Sequence, residues 1–123
     1  MSLGMELIVA ERMRHQAPSA DGGEGFGAAH DASVWTRELV AAGEAYEEAL
    51  DDTAPLPHAW PFDARRWKPK DRQRNLIRAG SLYLAAAERW DRKAPALPAA
   101  AALRARAEAV GVLIDNLARD AES

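Results

Sequence analysis

The sequence predicts an all-α protein that folds as a four-helix antiparallel bundle, with an irregular segment rich in tryptophan and proline between the second and third helices. Alanine, the strongest helix former, supplies 28 of the 123 residues, and β-branched residues are sparse. No run of alternating apolar and polar residues is long enough for a strand. Apolar residues recur instead at spacings of three and four, which is typical of helices with one buried face.

The first helix is predicted from about Met5 to Ala17, because Pro18 and the glycine-rich stretch 19–29 favour a loop. Residues 1–4 are interpreted as a cloning remnant and are left out of the fold prediction. The second helix begins between His30 and Ser33, where a side chain can cap it, and two prolines after Thr53 end it. Its predicted buried stripe consists of Trp35, Leu39, Ala42, Tyr46 and Ala49.

The third helix follows Asp71, a residue type that favours the N-cap position, and extends to about Lys93. Its apolar stripe consists of Leu76, Gly80, Tyr83, Ala87 and Trp90. After a linker with two prolines, an additional C-terminal helix is predicted from Ala99 to Arg119, with the stripe Leu103, Ala107, Val110, Ile114 and Leu117. Since each stripe needs an apolar partner, the helices are expected to pack as a bundle.

Length and composition predict one helical domain over residues 1–123. The absence of cysteine excludes a disulfide framework and is typical of a reducing compartment. No long apolar run and no signal peptide are present, so we expect a cytoplasmic protein that does not bind a membrane. The net charge of −3 is unevenly distributed, because residues 1–64 carry 12 acids and 3 bases whereas residues 65–123 carry 7 acids and 13 bases.

The second helix carries a glutamate-rich face. Its carboxylates are Glu38, Glu44, Glu47, Glu48 and Asp51. Pairs three residues apart project toward one spot, and such carboxylate pairs can hold Mg²⁺. Glu88 and Asp91 repeat the spacing in the third helix. A solvated acidic surface explains the same pattern, because 19 acids in 123 residues produce roughly three such pairs by chance.

Seven positive charges fall within residues 65–78, next to the rings of Trp60, Phe62 and Trp67. Cations beside stacking rings are typical of sites for nucleotide phosphates or single-stranded nucleic acid. The acidic net charge is unusual for a nucleic-acid-binding protein. A structural interpretation is also open, in which Arg74 and Arg78 neutralise the glutamates of the second helix and the tryptophans close the end of the bundle. A protein interface is the third interpretation.

Several elements occur together in a familiar order. They are Glu11-Arg12-x-Arg14, His30-Asp31, Glu38-Leu39 with Tyr46, Trp60-Pro61-Phe62-Asp63, Trp67-Lys68-Pro69 with Asp71, Arg74 to Leu82, and Ala87 to Arg92. Over about residues 8–92 this pattern resembles a family of small phage and prophage proteins of bacteria. That family is more distantly similar to the all-α MazG-like nucleotide pyrophosphohydrolases, so the resemblance implies a MazG-like bundle.

The resemblance also implies a chemistry. MazG-like enzymes hydrolyse nucleoside triphosphates to monophosphates with Mg²⁺ held by two pairs of acids. In this chain Glu38, Glu44, Glu47 and Glu48 can supply the first pair, but the second pair falls on Asn75 and Arg78. The fold is therefore expected to be inherited while the chemistry is lost or moved. A homodimer is also implied, since MazG-like domains build their sites between subunits.

We therefore expect a nucleotide-phosphate site that is either hydrolytic or only binds. The glutamates would hold Mg²⁺, and the residues expected to contact phosphates or a partner are Lys70, Arg74, Arg78, Arg66 and Trp67. The alternative is a non-catalytic module, in which residues 60–78 dock a host or phage protein or a nucleic acid.

Overall fold

The computed structural model of the chain describes residues 2–16, 36–94 and 97–122. These residues form four α-helices: α1 (Leu3–Gln16), α2 (Thr36–Glu48), α3 (Arg72–Lys93) and α4 (Ala99–Glu122). A 3₁₀ helix covers Ala64–Arg66, and the described part of the chain contains no strand. For these residues, the prediction of four helices and no strand is confirmed. None of the helices in these residues is long and apolar enough to cross a membrane.

The observed helix ends agree with the predicted ones to within a few residues, except at the end of α2. This helix ends at Glu48, several residues before the prolines. Asp71 caps α3 as predicted, because its carboxylate accepts a hydrogen bond of 2.8 Å from the Arg74 N–H. The predicted start of the second helix at 30–33, and Trp35, lie outside the described residues.

Helix α3 is central and packs against the other three helices. α2 runs antiparallel to α3, since Gly43 faces the ring of Tyr83 while the Ala49 carbonyl, just beyond α2, accepts a hydrogen bond from Asn75 near the start of α3. α4 follows α3 after a short connection and returns along it. The expected antiparallel packing of consecutive helices is therefore present in both pairs.

Helix α1 lies between α3 and α4. Ile8 packs against Gly80, and Arg12 forms an ion pair with Glu88, about two turns further along α3, so α1 runs in the same direction as α3. Near its start, α1 approaches α4 so closely that a Cβ atom on Gly4 would collide with the Gly111 carbonyl. This contact requires glycine and brings the two backbones together.

The core is built from the predicted stripes and from small residues. The buried apolar side chains of the bundle include Ile8, Leu39, Ala42, Tyr46, Leu76, Tyr83, Ala87, Leu103, Ala107, Val110 and Ile114. Many of the remaining core positions are alanines, which allow the helix axes to approach closely. Trp90 and Leu117, the last residues of their predicted stripes, are only partly buried.

Candidate functional site

The irregular segment between α2 and α3 is held against α2 by four aromatic rings. Tyr46 of α2 contacts Trp67 with ring centroids 4.7 Å apart and Trp60 with centroids 5.7 Å apart. Trp60 in turn contacts Trp67 at 5.0 Å and Phe62 at 5.6 Å, in edge-to-face arrangements. The indole N–H groups donate to backbone carbonyls, Trp60 to Asp63 and Trp67 to Ala54. The rings therefore give this segment a defined shape without a strand or long helix.

The 3₁₀ helix displays the next set of side chains. Asp63 caps it by accepting a 2.8 Å hydrogen bond from the Arg65 N–H, and its two carboxylate oxygens also accept from the Arg65 guanidinium. These hydrogen bonds lower the pKa of Asp63 below its usual range. Just after this helix, the Lys68 N–H donates to the Tyr46 hydroxyl at 3.3 Å. The backbone hydrogen bonds of Arg65 and Lys68 therefore fix these two basic residues relative to the aromatic rings.

A cleft of about 370 Å³ opens where this segment meets the helices. Its lining residues are Arg14 of α1, Ala42 and Tyr46 of α2, Trp60, Phe62, Arg65, Arg66 and Lys68 of the segment, and Arg78 and Leu82 of α3. Five of these ten residues are cations and three are aromatic, and none is a carboxylate. The cleft therefore combines positive charge with aromatic surface.

Arg78 of α3 contributes a cation that lies against the ring of Tyr46. Its guanidinium lies 5.3 Å from the centre of the Tyr46 ring, and its Nη1 lies 3.5 Å from the Tyr46 hydroxyl. Within the described residues neither Arg78 nor Lys68 has a carboxylate partner, whereas Arg14 is paired with Glu11. The charges of Arg78 and Lys68 therefore remain available to an anion in the cleft.

The glutamates of α2 have other partners. Glu47 accepts a 2.7 Å hydrogen bond from the Tyr83 hydroxyl, and Glu44 lies 3.4 Å from Arg106 of α4. Arg106 also donates to the Tyr83 hydroxyl and lies over its ring. Burial, followed by the hydrogen bond to Glu47, raises the pKa of Tyr83 far above its usual range. Glu44 and Glu47 therefore join α2 to α3 and α4, and neither lines the cleft.

Among the described residues, the predicted magnesium ligands do not form a group of three or more acidic side chains. Glu38 is half-buried in the first turn of α2, and Glu48 is exposed at its last residue. Glu88 is paired with Arg12 of α1, and Asp91 is paired with Arg104 of α4. Residues 2–16, 36–94 and 97–122 contain no group of three or more histidine or acidic side chains that could hold a metal ion. Binding of Mg²⁺ by these glutamates stays a prediction of the resemblance.

The residues predicted to contact phosphates are divided between two places. Arg66 and Arg78 line the cleft, whereas Trp67 does not line it but contacts two of its rings, Tyr46 and Trp60. Lys70 and Arg74 lie in a separate groove lined also by Asp51, Asp52 and Asp71. The structure therefore brings part of the predicted set together and separates the rest.

Four charged or aromatic residues of the cleft were not singled out from the sequence. Tyr46 was assigned to the buried stripe of the second helix, and Arg65 and Lys68 were counted only within the basic run. Arg14 belongs to the Glu11-Arg12-x-Arg14 element, but no spacing rule relates it to a segment 50 residues away. Only the position of α1 brings it to the cleft.

No known protein-family model, curated protein or solved structure matches this chain. The similarity to phage proteins and to MazG-like enzymes therefore stays a prediction. Function has to be inferred from the chemistry of the cleft.

Proposed function

We propose that this protein binds the phosphate groups of a nucleotide in the cleft between α1, α2, α3 and the aromatic segment. The observation that carries the proposal is the lining itself, in which five cations and three aromatic residues surround a space without any carboxylate. Arginine offers paired donors that match phosphate oxygens, and aromatic rings offer surfaces against which a base can stack. The volume of about 370 Å³ lies within the range of small-ligand pockets.

The partners of the α2 carboxylates favour nucleotide binding without hydrolysis. Glu44 and Glu47 are engaged with Arg106 and Tyr83, on a side of α2 that does not line the cleft. Hydrolysis with Mg²⁺ held by Glu38, Glu44, Glu47 and Glu48 stays a prediction of the resemblance. It is measured by incubating the protein with Mg²⁺ and a panel of nucleoside triphosphates and recording pyrophosphate release. Loss of that release in Glu44→Gln would support the hydrolase.

The test of binding is a calorimetric titration with thymidine, its monophosphate and its triphosphate, without metal. Affinity is expected to rise with each phosphate and to be weakest for the nucleoside. Arg78→Ala should weaken triphosphate binding by roughly 10-fold to 100-fold, because a hydrogen bond to a charged group is worth about 1.5–3 kcal/mol.

Arg74→Ala is the matched control, because Arg74 lies one turn before Arg78 on α3 but outside the cleft. It removes the same charge and is expected to change the affinity less than twofold. Equal losses in the two variants would indicate attraction by net charge alone and would contradict a site in the cleft. The absence of binding to all three ligands would refute the proposal and favour a partner protein as the ligand of this surface.

The homodimer and the phage relationship belong to the same set of predictions. Sedimentation equilibrium measures the oligomeric state directly, and a monomer at all concentrations would contradict the dimer that the resemblance implies.

A further inference from the structure

A second groove adjoins the cleft at the 3₁₀ helix. It is lined by Phe62, Asp63, Arg65 and Arg66. Three of these four residues, Phe62, Arg65 and Arg66, also line the cleft. One ring and two cations therefore contact both spaces, so a ligand that extends out of the cleft would meet them again in the groove.

The chemistry of the shared residues suits a polyanion that carries bases. Phe62 is a partly exposed ring packed edge-on against Trp60, and rings of this kind serve as stacking platforms for bases. The side chain of Arg65 is 90% exposed, although Asp63 holds one edge of its guanidinium. The Asp63 carboxylate accepts hydrogen bonds from the Arg65 guanidinium. It therefore orients this cation, and its paired charge repels an approaching phosphate less than a free carboxylate would.

The cationic surface does not include the groove of Lys70 and Arg74. The groove that contains Lys70 and Arg74 also contains three carboxylates, Asp51, Asp52 and Asp71, so acids outnumber cations there. A polyanion leaving the cleft would be repelled by that groove and accepted by the groove beside the 3₁₀ helix. The charges therefore favour extension of the ligand into the groove beside the 3₁₀ helix.

We infer that the ligand is single-stranded nucleic acid, with one phosphate group in the cleft, the next beside Arg65 and Arg66, and a base stacked on Phe62. This inference rests on the proposed nucleotide-phosphate binding in the cleft and extends it to a chain of at least two nucleotides. An acidic peptide would use the cations but not the rings. The alternation of rings and cations along residues 60–68 therefore favours the nucleic acid.

The experiment compares thymidine monophosphate with oligothymidylates of two, four and eight nucleotides, by calorimetry at several salt concentrations. Affinity is expected to rise at least 10-fold from one to four nucleotides. The slope of log K against log salt should also steepen with length, by about 0.7 for each phosphate contacted. Arg65→Ala is expected to weaken the tetranucleotide at least fivefold more than it weakens the monophosphate, because only the longer ligand meets Arg65 in both the cleft and the groove. Arg78→Ala should weaken both ligands.

Lys70→Ala is the control for charge, because it removes one cation from the same segment but from the acid-lined groove. It should leave the tetranucleotide affinity within twofold. A tetranucleotide that binds no more tightly than the monophosphate would overturn this inference and leave the proposed function intact, whereas failure of both ligands to bind would remove both. A glutamate-rich peptide that binds as tightly as the tetranucleotide at equal salt would also overturn it and assign the surface to an acidic protein.

Discussion

Replacing Asn75 by alanine should destabilise the protein by about 3 kcal/mol, because this side chain joins the end of α2 to the start of α3. Asn75 is 1% exposed. Its Oδ1 accepts a 2.7 Å hydrogen bond from the Lys70 N–H, and its Nδ2 donates to the carbonyls of Lys70 at 2.9 Å and Ala49 at 3.1 Å. Three hydrogen bonds at about 0.5–1.5 kcal/mol each account for the expected magnitude.

The three backbone groups are not affected equally. Ala49 keeps a second donor, since Arg72 Nη1 lies 2.9 Å from its carbonyl oxygen. The backbone N–H and carbonyl of Lys70 both lose their hydrogen bonds to Asn75. Most of the lost stability therefore arises just before the start of α3. For a chain of this length a loss of about 3 kcal/mol corresponds to a melting temperature lower by roughly 10 °C. Urea denaturation followed by circular dichroism gives the free energy of unfolding directly.

Asn75→Asp separates hydrogen bonding from shape. It keeps the size and one acceptor but places an oxygen where Nδ2 donates to the carbonyls of Lys70 and Ala49. We expect a loss at least as large as that of the alanine variant. Gln73→Ala, on the same helix and only partly buried, should cost less than about 0.5 kcal/mol. An Asn75→Asp variant as stable as the parent would refute the reasoning and would show that an acid is tolerated at this position.

Three further changes test the packing of α1 and the network around α3. Gly80→Ala should cost about 1–3 kcal/mol in a denaturant titration, because the new Cβ would lie 2.5 Å from Cδ1 of Ile8. Glu88→Ala should cost about 3 kcal/mol by the same measurement, since it leaves the 4% exposed Arg12 without its bidentate partner. The raised pKa of Tyr83 keeps its hydroxyl protonated in the folded state, so stability should be full below about pH 10 and fall above it as the unfolded chain ionises. Tyr83→Phe should remove part of that fall.

Each of these three predictions has a direct check. Ile8→Val should recover part of the stability lost in Gly80→Ala, because it removes the atom nearest the new methyl group. Asp91→Ala breaks an exposed ion pair with Arg104 and should cost less than about 1 kcal/mol. If Asp91→Ala lowered the free energy of unfolding as much as Glu88→Ala, burial of Arg12 would not explain the effect of Glu88→Ala. Identical stability profiles above pH 10 for Tyr83→Phe and the parent would contradict the assignment of the raised pKa.

The helices could be predicted because their signals are local. The cap at Asp71 and the stripe from Leu76 to Ala87 depend only on residues within a few turns of each other, and both predictions are confirmed. The end of α2 was less predictable. The prolines at 55 and 57 would interrupt a helix, but α2 already ends at Glu48. The Ala49 carbonyl accepts hydrogen bonds from Asn75 and Arg72 of α3.

The partners of the charged residues could not be predicted in the same way. Arg74 and Arg78 are four residues apart, yet one lies among three aspartates and the other beside Tyr46. The structural interpretation, in which this pair neutralises the glutamates of α2, does not hold for Glu44, whose partner is Arg106 of α4. Helical spacing places side chains on a face, but the residue that meets that face comes from elsewhere in the chain.

The sequence by itself determined four helices, the cap of α3 and a concentration of cations near aromatic residues between α2 and α3. These features follow from short-range propensity, periodicity and charge, which act within one or two helical turns. Only the tertiary structure decided that Arg14 and Arg78 join Lys68 around one cleft, while Lys70 is directed into an acidic groove. Association of α1 with α3 and α4 depends on close contacts such as Ile8 with Gly80, between residues far apart in the chain. The position of the candidate site is therefore a consequence of packing, whereas its chemical character was present in the sequence.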